Sequence, residues 1–188
     1  MSRTRGGKRG APGEGALRPM VDADLERVLG WRNHPDVRRW MYTSHEIELD
    51  EHRRWFRGAS QDERRHLLVY ELDGEPCGYV NVTSEGGPGG PGTWGFYLSP
   101  DARRGAGRGL GLAAVRYAFE VVGLGELRGE ALSSNVNSIA FHRRLGFTET
   151  EERLGHHVAE DGERHNVSCF QLSRSAWREQ AMDQDQRT

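Results

Sequence analysis

A strand-like run from Thr93 to Leu98 is stopped by Ser99-Pro100, and the chain then reads Arg103-Arg104-Gly105-Ala106-Gly107-Arg108-Gly109 ahead of an apolar helix. Few folds accommodate that order. Glycines let successive backbone N–H groups turn toward one point, and the N-terminus of the following helix adds its partial positive charge. The segment is expected to cradle an anion, phosphates above all; the alternative is an ordinary Gly-rich turn. A P-loop is excluded because no Gly-Lys-Ser/Thr follows. A Rossmann dinucleotide site is excluded because a meander of strands precedes the glycines where the first βαβ strand should stand.

The surrounding pattern fixes the class of fold. Leu110, Ala113, Ala114, Tyr117, Ala118 and Val121 recur at helical spacing and predict a central helix from about Gly107 to Val122. Upstream, Ala16 to Met20 predicts a first strand, and Asp22 starts a helix with Leu25, Val28 and Leu29 on one face. Asn33-His34-Pro35 breaks that helix, Asp36 to Met41 forms a short turn, and Leu49 to Ala59 a further helix. His66 to Leu72 and Pro76 to Thr83 read as strands joined at Asp73-Gly74-Glu75, and Ser84 to Gly92 as a loop. Downstream come a strand from Glu126 to Leu132, a helix from Asn135 to Leu145, two strands around Asp161-Gly162, and a short helix from Ser173. The order predicts an α/β fold of the mixed α+β kind: one domain, with a twisted mixed sheet of about seven strands flanked by helices. We expect that domain to span residues 16–178. Residues 1–15, rich in Gly and Arg, cannot bury enough surface to offset their ordering entropy, and residues 179–188 read as a polar tail.

Composition excludes several classes of partner. Basic and acidic residues nearly balance, 26 against 28, so the chain lacks the charge excess that neutralises a phosphate backbone, and no nucleic-acid partner is expected. No run of about 18 apolar residues occurs and no apolar stretch follows the basic N-terminus, so neither a membrane span nor secretion is expected. Cys77 and Cys169 lie in apolar, strand-like runs without metal-ligand spacing and read as buried free thiols, which fits a cytoplasmic protein. His156, His157, Asp161 and His165 read as solvated or substrate-rim residues, and no metal is expected.

Beyond the glycine turn stands Asn135-Val-Asn-Ser-Ile-Ala-Phe-His142-Arg-Arg-Leu-Gly146-Phe147. Together, in this order and at this spacing, the two segments resemble the GNAT superfamily of acetyl-CoA-dependent N-acetyltransferases. The resemblance implies acetyl-CoA as co-substrate. Its pyrophosphate would lie on Arg104, Gly105, Ala106, Gly107, Arg108 and Gly109, with Asn135 helping to hold the pantetheine arm. A Tyr usually stands where this chain has His142.

The first third narrows the resemblance. Trp31-Arg32-Asn33-His34-Pro35-Asp36-Val37-Arg38-Arg39-Trp40-Met41-Tyr42-Thr43, with Glu51-His52-x-x-Trp55-Phe56, Asn81-Val82-Thr83 and Trp94-Gly95-Phe96-Tyr97-Leu98, is similar to the UDP-4-amino-4,6-dideoxy-N-acetyl-β-L-altrosamine N-acetyltransferases of pseudaminic acid biosynthesis. That likeness, from about Leu17 to Trp177, implies a nucleotide-sugar acceptor. Its sugar would pack near Met41, Tyr42, Trp55 and Tyr97, with Arg32, His52 and Thr83 toward the nucleotide; the alternative for Met41, Trp55 and Tyr97 is plain core packing. Aromatic faces suit a base or the apolar side of a deoxy sugar, and Arg32 can pair with a pyrophosphate.

Direct attack of an amine on the thioester needs a neutral amine, a donor for the developing oxyanion and a proton for the leaving thiolate. Coenzyme A is expected to wedge between the Thr93–Leu98 and Glu126–Leu132 strands, with backbone N–H groups near Leu98 as oxyanion donors. Glu130, a charge in the Glu126–Leu132 strand beside the proposed cleft, is the candidate base; its alternative is an ion pair with an arginine. Asn81 is expected to position the amine or a water, and His142 to supply the thiolate proton, the alternative being a histidine on the helix surface. Two other functions stay open: acetylation of a protein N-terminus, as the ribosomal-protein acetyltransferases perform, and non-catalytic binding of acetyl-CoA. Oligomeric state is equally open, a homodimer included.

Overall fold

The computed structural model describes residues 15–159 and 162–185. The meander is β2 (Arg65–Leu72), β3 (Glu75–Ser84) and β4 (Pro91–Leu98), with β1 (Gly15–Pro19) added antiparallel outside β2. Asp73 and Gly74 turn β2 into β3 with φ of 56° and 83°, the left-handed conformation a tight hairpin requires. Three helices stand between β1 and β2: α1 (Leu25–Asn33), the single turn α2 (Pro35–Arg38) and α3 (Leu49–Ala59). Helix α1 stops where Pro35 forces the preceding residue out of helical geometry. Helix α3 buries His52, Phe56 and Ala59, spaced as one helical face.

After β4 the chain crosses through α4 (Ala106–Arg116) to β5 (Glu126–Leu132), the one parallel neighbour in a sheet ordered β1-β2-β3-β4-β5-β7-β6. Helix α5 (Val136–Arg144) then leads to the antiparallel pair β6 (Thr148–Val158) and β7 (Arg164–Ser173), and α6 (Arg174–Asp185) follows. The seven-stranded mixed sheet flanked by helices is the architecture the element order predicts. Three details differ. The apolar helix ends at Arg116 and passes into a π-helical turn, Tyr117–Val121, before Gly123 reverses the chain at φ 83°. Helix α6 continues to Asp185 through a stretch whose polarity reads as a tail. The β6–β7 pairing carries bulges, because β6 is a mostly exposed edge strand with little apolar pattern to fix its register. Residues 1–14 and Asp161 lie outside the described residues.

Both faces of the sheet are covered. On one, Leu68, Tyr70, Val80, Val82, Trp94 and Leu127 pack with Leu110, Ala114 and Val115 of α4. On the other, Leu67, Val69 and Tyr79 pack with Leu25, Val28 and Trp31 of α1 and with Phe56 of α3. Strand alternation therefore gives β3, β4 and β5 an α4 side and an α1/α3 side. Among the described residues no helix is long and apolar enough to cross a membrane.

Candidate active site

Strands β4 and β5 pair only at Pro91↔Glu126, Gly92↔Leu127 and Thr93↔Arg128. Beyond Thr93 and Arg128 they splay, so their facing edges carry backbone groups without ladder partners. Such groups can bond an extended, amide-bearing chain laid between them. The splay opens an elongated cleft of about 1420 Å³ that reaches both faces of the sheet and is lined by Leu98, Gly107 and Asn135 as well as by Arg32, His52 and Trp55.

At the α4 end, Gly105 has φ 92° and starts the helix, a conformation costly for any residue with a Cβ. The amides of Ala106 and Arg108 donate to the carbonyls of Arg103 and Gly105 at 3.0 and 3.1 Å, so these two residues shape the turn. Gly107 reaches the cleft lining itself. Gly109 is pressed against the next layer: a Cβ there would lie 2.2 Å from the Tyr70 hydroxyl. Arg103 is held by Asp73, while Arg104 and Arg108 flank the helix start. Asn135 lines the cleft and also accepts the Ser138 amide through its side-chain oxygen at 3.1 Å, capping α5. A pyrophosphate and a pantetheine arm suit this end: it offers a helix N-terminus, a left-handed glycine and unpaired strand edges.

The α1/α3 side carries the polar chemistry. Arg32 is 9% exposed; its Nη2 donates to the Thr43 carbonyl at 2.7 Å, whereas its Nη1 is buried and finds no partner. His52 is 4% exposed, stacks on Trp55 at 5.0 Å and also has an unpartnered buried nitrogen, Nε2. Burial lowers the pKa of both, and the neighbouring Arg32 charge lowers His52 further. Trp55 meets Tyr79 edge-on at 6.3 Å, and Tyr79 meets Tyr97 at 5.0 Å, making an aromatic floor whose phenols burial pushes above their usual range. Met41 lines the same end, and Asn81 faces it with Thr83, outside the lining, donating toward its side-chain oxygen at 3.5 Å.

Across the splay, Tyr42 donates its hydroxyl to Glu130 at 2.7 Å and stacks on His157 at 4.7 Å. Desolvation first, and this bond second, raise the Tyr42 phenol. The other Glu130 oxygen accepts from Arg153 at 3.1 Å, and Arg153 also donates to Glu151 at 2.7 Å. Glu130 therefore sits in the cleft and is at the same time half of an ion pair. The sequence alone gives no sign of Arg153, a charge on a polar edge strand, nor of Arg128, which lines the cleft beside Glu85 and Glu126.

His142, the expected donor of the thiolate proton, lies outside the cleft lining. It is 1% exposed, lies behind the cleft wall, and stacks on Phe170 at 4.6 Å among Trp94, Phe96, Phe141 and Phe147. Its Nδ1 lies 2.8 Å from the Ser138 carbonyl, an oxygen that can only accept, so the ring proton sits on Nδ1. Burial lowers its pKa, the bond to Ser138 opposing it, and its Nε2 is buried without a partner. His157 and His165 stack at 5.9 Å, and among the described residues no group of three or more His, Cys, Asp or Glu could hold a metal.

Known proteins are similar to this chain. Residues 16–148 match the acetyltransferase (GNAT) domain family. The chain is 29% identical over 132 residues to acetyltransferase PseH of Campylobacter jejuni subsp. jejuni serotype O:2, covering 69% of this chain and 80% of that protein. Among solved structures it is similar to a spermidine N-acetyltransferase from Vibrio cholerae in complex with CoA and spermine, at 16% identity and a TM-score of 0.80 over 87% of this chain and 98% of that one. It is also similar to a ribosomal-protein-alanine N-acetyltransferase from Brucella melitensis, at 23% identity and a TM-score of 0.70 over 84% and 98%. With its glycine turn at the start of α4 and its parted central strands, the chain belongs to the GNAT acetyltransferase family and uses acetyl-CoA as its acetyl donor.

Proposed function

We propose that this enzyme acetylates the 4-amino group of UDP-4-amino-4,6-dideoxy-N-acetyl-β-L-altrosamine, a step of pseudaminic acid biosynthesis, and does so in the cytoplasm. The reading is supported by the relative named PseH and by the motifs of the first third of the chain. One observation carries it: Arg32 Nη1 and His52 Nε2 are buried without partners, and His52 stacks on the Trp55 ring. A guanidinium held out of water with one terminal nitrogen unpaired costs stability unless an anion completes it. A nucleotide brings both parts of the complement, a diphosphate for the fork and a flat base for the ring.

Acetyl-CoA supplies an activated acetyl thioester from the α4 side. The chain's own residues then have three tasks. The Asn81 side-chain oxygen orients the amine, whose nitrogen forms the new bond to the acetyl carbon as the carbon–sulfur bond breaks. Backbone N–H groups near Leu98, at the unpaired edge of β4, bond the carbonyl oxygen as its charge develops. Glu130 receives the amine proton through a water. Tyr42 and Arg153 hold the two carboxylate oxygens in place, and the amine proton grows acidic as the carbon–nitrogen bond forms. The leaving thiolate takes its proton from solvent in the cleft.

The test is thiol release with saturating acetyl-CoA, comparing the UDP-linked amino sugar, the same sugar without its nucleotide, and a peptide with a free N-terminus. The reading expects kcat/KM for the nucleotide sugar at least about 100-fold above either alternative. A preference for the peptide would overturn it in favour of a protein N-terminal acetyltransferase, and no thiol release with any amine would point to a binding module.

A further inference from the structure

Four glycines stand inside the strands that border the cleft, and three of them have a packing reason. A Cβ at Gly78 would meet Leu110 Cδ1 at 2.5 Å; at Gly92 it would meet Leu124 Cδ1 and the Thr83 carbonyl at 2.6 Å; at Gly129 it would meet His142 Nε2 at 2.5 Å and Trp94 Nε1 at 2.7 Å. Gly95 differs: a Cβ there would find nothing within 4 Å. The residue is exposed, lines the cleft and has no left-handed φ. A glycine in a strand interior costs conformational entropy and forfeits side-chain packing, so one kept without a steric cause marks a place where something else comes close to the backbone.

The register says where that place is. Gly95 lies opposite Asn81 on β3, between Thr93 and Tyr97 on its own strand, so the missing side chain belongs to the α1/α3 side. It is set just past the last β4–β5 pair, with Glu130 of β5 across the opening and Met41, Tyr42 and Trp55 lining the same cleft. We propose that Gly95 determines acceptor specificity: the space it leaves receives the face of a ring-borne amine, a pyranose lying flat on β4 with its nitrogen between Asn81 and Glu130. The proposal rests on the nucleotide-sugar reading and adds to it a steric filter. A slender, chain-borne amine reaches the same point without that space.

Because the position is open, Gly95→Ala and Gly95→Val should fold, and acetyl-CoA affinity measured by calorimetry should stay within about twofold of the unmodified chain. Each variant is assayed with the UDP-linked amino sugar and with n-butylamine as a chain-borne probe. Gly95→Val should lower kcat/KM for the sugar by about 50-fold or more, chiefly through KM, with Gly95→Ala intermediate and the n-butylamine rate within about threefold. Undiminished sugar acetylation by Gly95→Val would overturn the proposal, as would an equal loss with both amines. If the unmodified enzyme prefers a ring-borne amine lacking a nucleotide and Gly95→Val still discriminates by ring, the nucleotide reading fails while the filter stands. If the unmodified enzyme takes chain-borne amines alone, both fail.

Discussion

Arg32 is a charge kept out of water whose Nη2 bonds the Thr43 carbonyl while Nη1 has no partner, and on the proposed reading it serves binding at the expense of the empty fold. Replacing it by Met should leave the thermal midpoint unchanged or higher, while KM for the nucleotide sugar rises about 10- to 100-fold, the range a lost charge-assisted hydrogen bond spans. A large fall in the midpoint would show that Arg32 serves the fold instead. For His142, packed among aromatic rings, we expect His142→Phe to keep the fold and to lower kcat by no more than about threefold. A loss of about 100-fold at unchanged acetyl-CoA affinity would return it to the chemistry. Burial lowers the pKa of His52, His66 and His142, so their neutral forms belong to the folded state. Their contribution is fully present above the unfolded histidine pKa, about 6.5, and is lost as pH falls below it. His142→Phe should therefore flatten the acid side of a stability–pH curve measured by denaturant unfolding. The position of His142 is legible from its spacing to Asn135 and Gly146. Its burial is not, because Phe147 and Phe170 come to it from β6's approach and from β7.

Elements were legible to the extent that a local pattern made them. The glycine turn, the apolar face of α4 and the hairpin at Asp73-Gly74 follow from residues close in sequence. The parting of β4 from β5 after three pairs, and the length of α6, depend on distant partners, as does the tie between Tyr42 and Glu130. Close approaches between elements give sharp tests. Gly109→Ala should destabilise the fold by about 1–3 kcal/mol, because the new methyl group meets the Tyr70 hydroxyl. Adding Tyr70→Phe should restore about half of that loss in the same unfolding assay, and no recovery would place the strain elsewhere. Losing the Asn135 cap of α5 in Asn135→Ala should cost about 1 kcal/mol, or about 2–4 °C in thermal midpoint.

At the scale of the molecule, the parted sheet separates two tasks by face. On the proposed reading, helix α4 and its glycine turn take the phosphates on one side. Arg32, His52 and Trp55 offer an anionic, flat partner a place on the other, and the opening between β4 and β5 joins them. Composition alone leaves that division invisible, since balanced charge says nothing about where the few desolvated cations sit. Transfer requires the two ligands to meet in that opening, and the site of transfer reports it. Incubation with carbon-13-labelled acetyl-CoA and the UDP-linked 4-amino sugar, followed by NMR of the product, should show one labelled acetyl group on the nitrogen at carbon 4 of the sugar. Label on a hydroxyl oxygen, or an unlabelled sugar beside a labelled peptide amine, would contradict it.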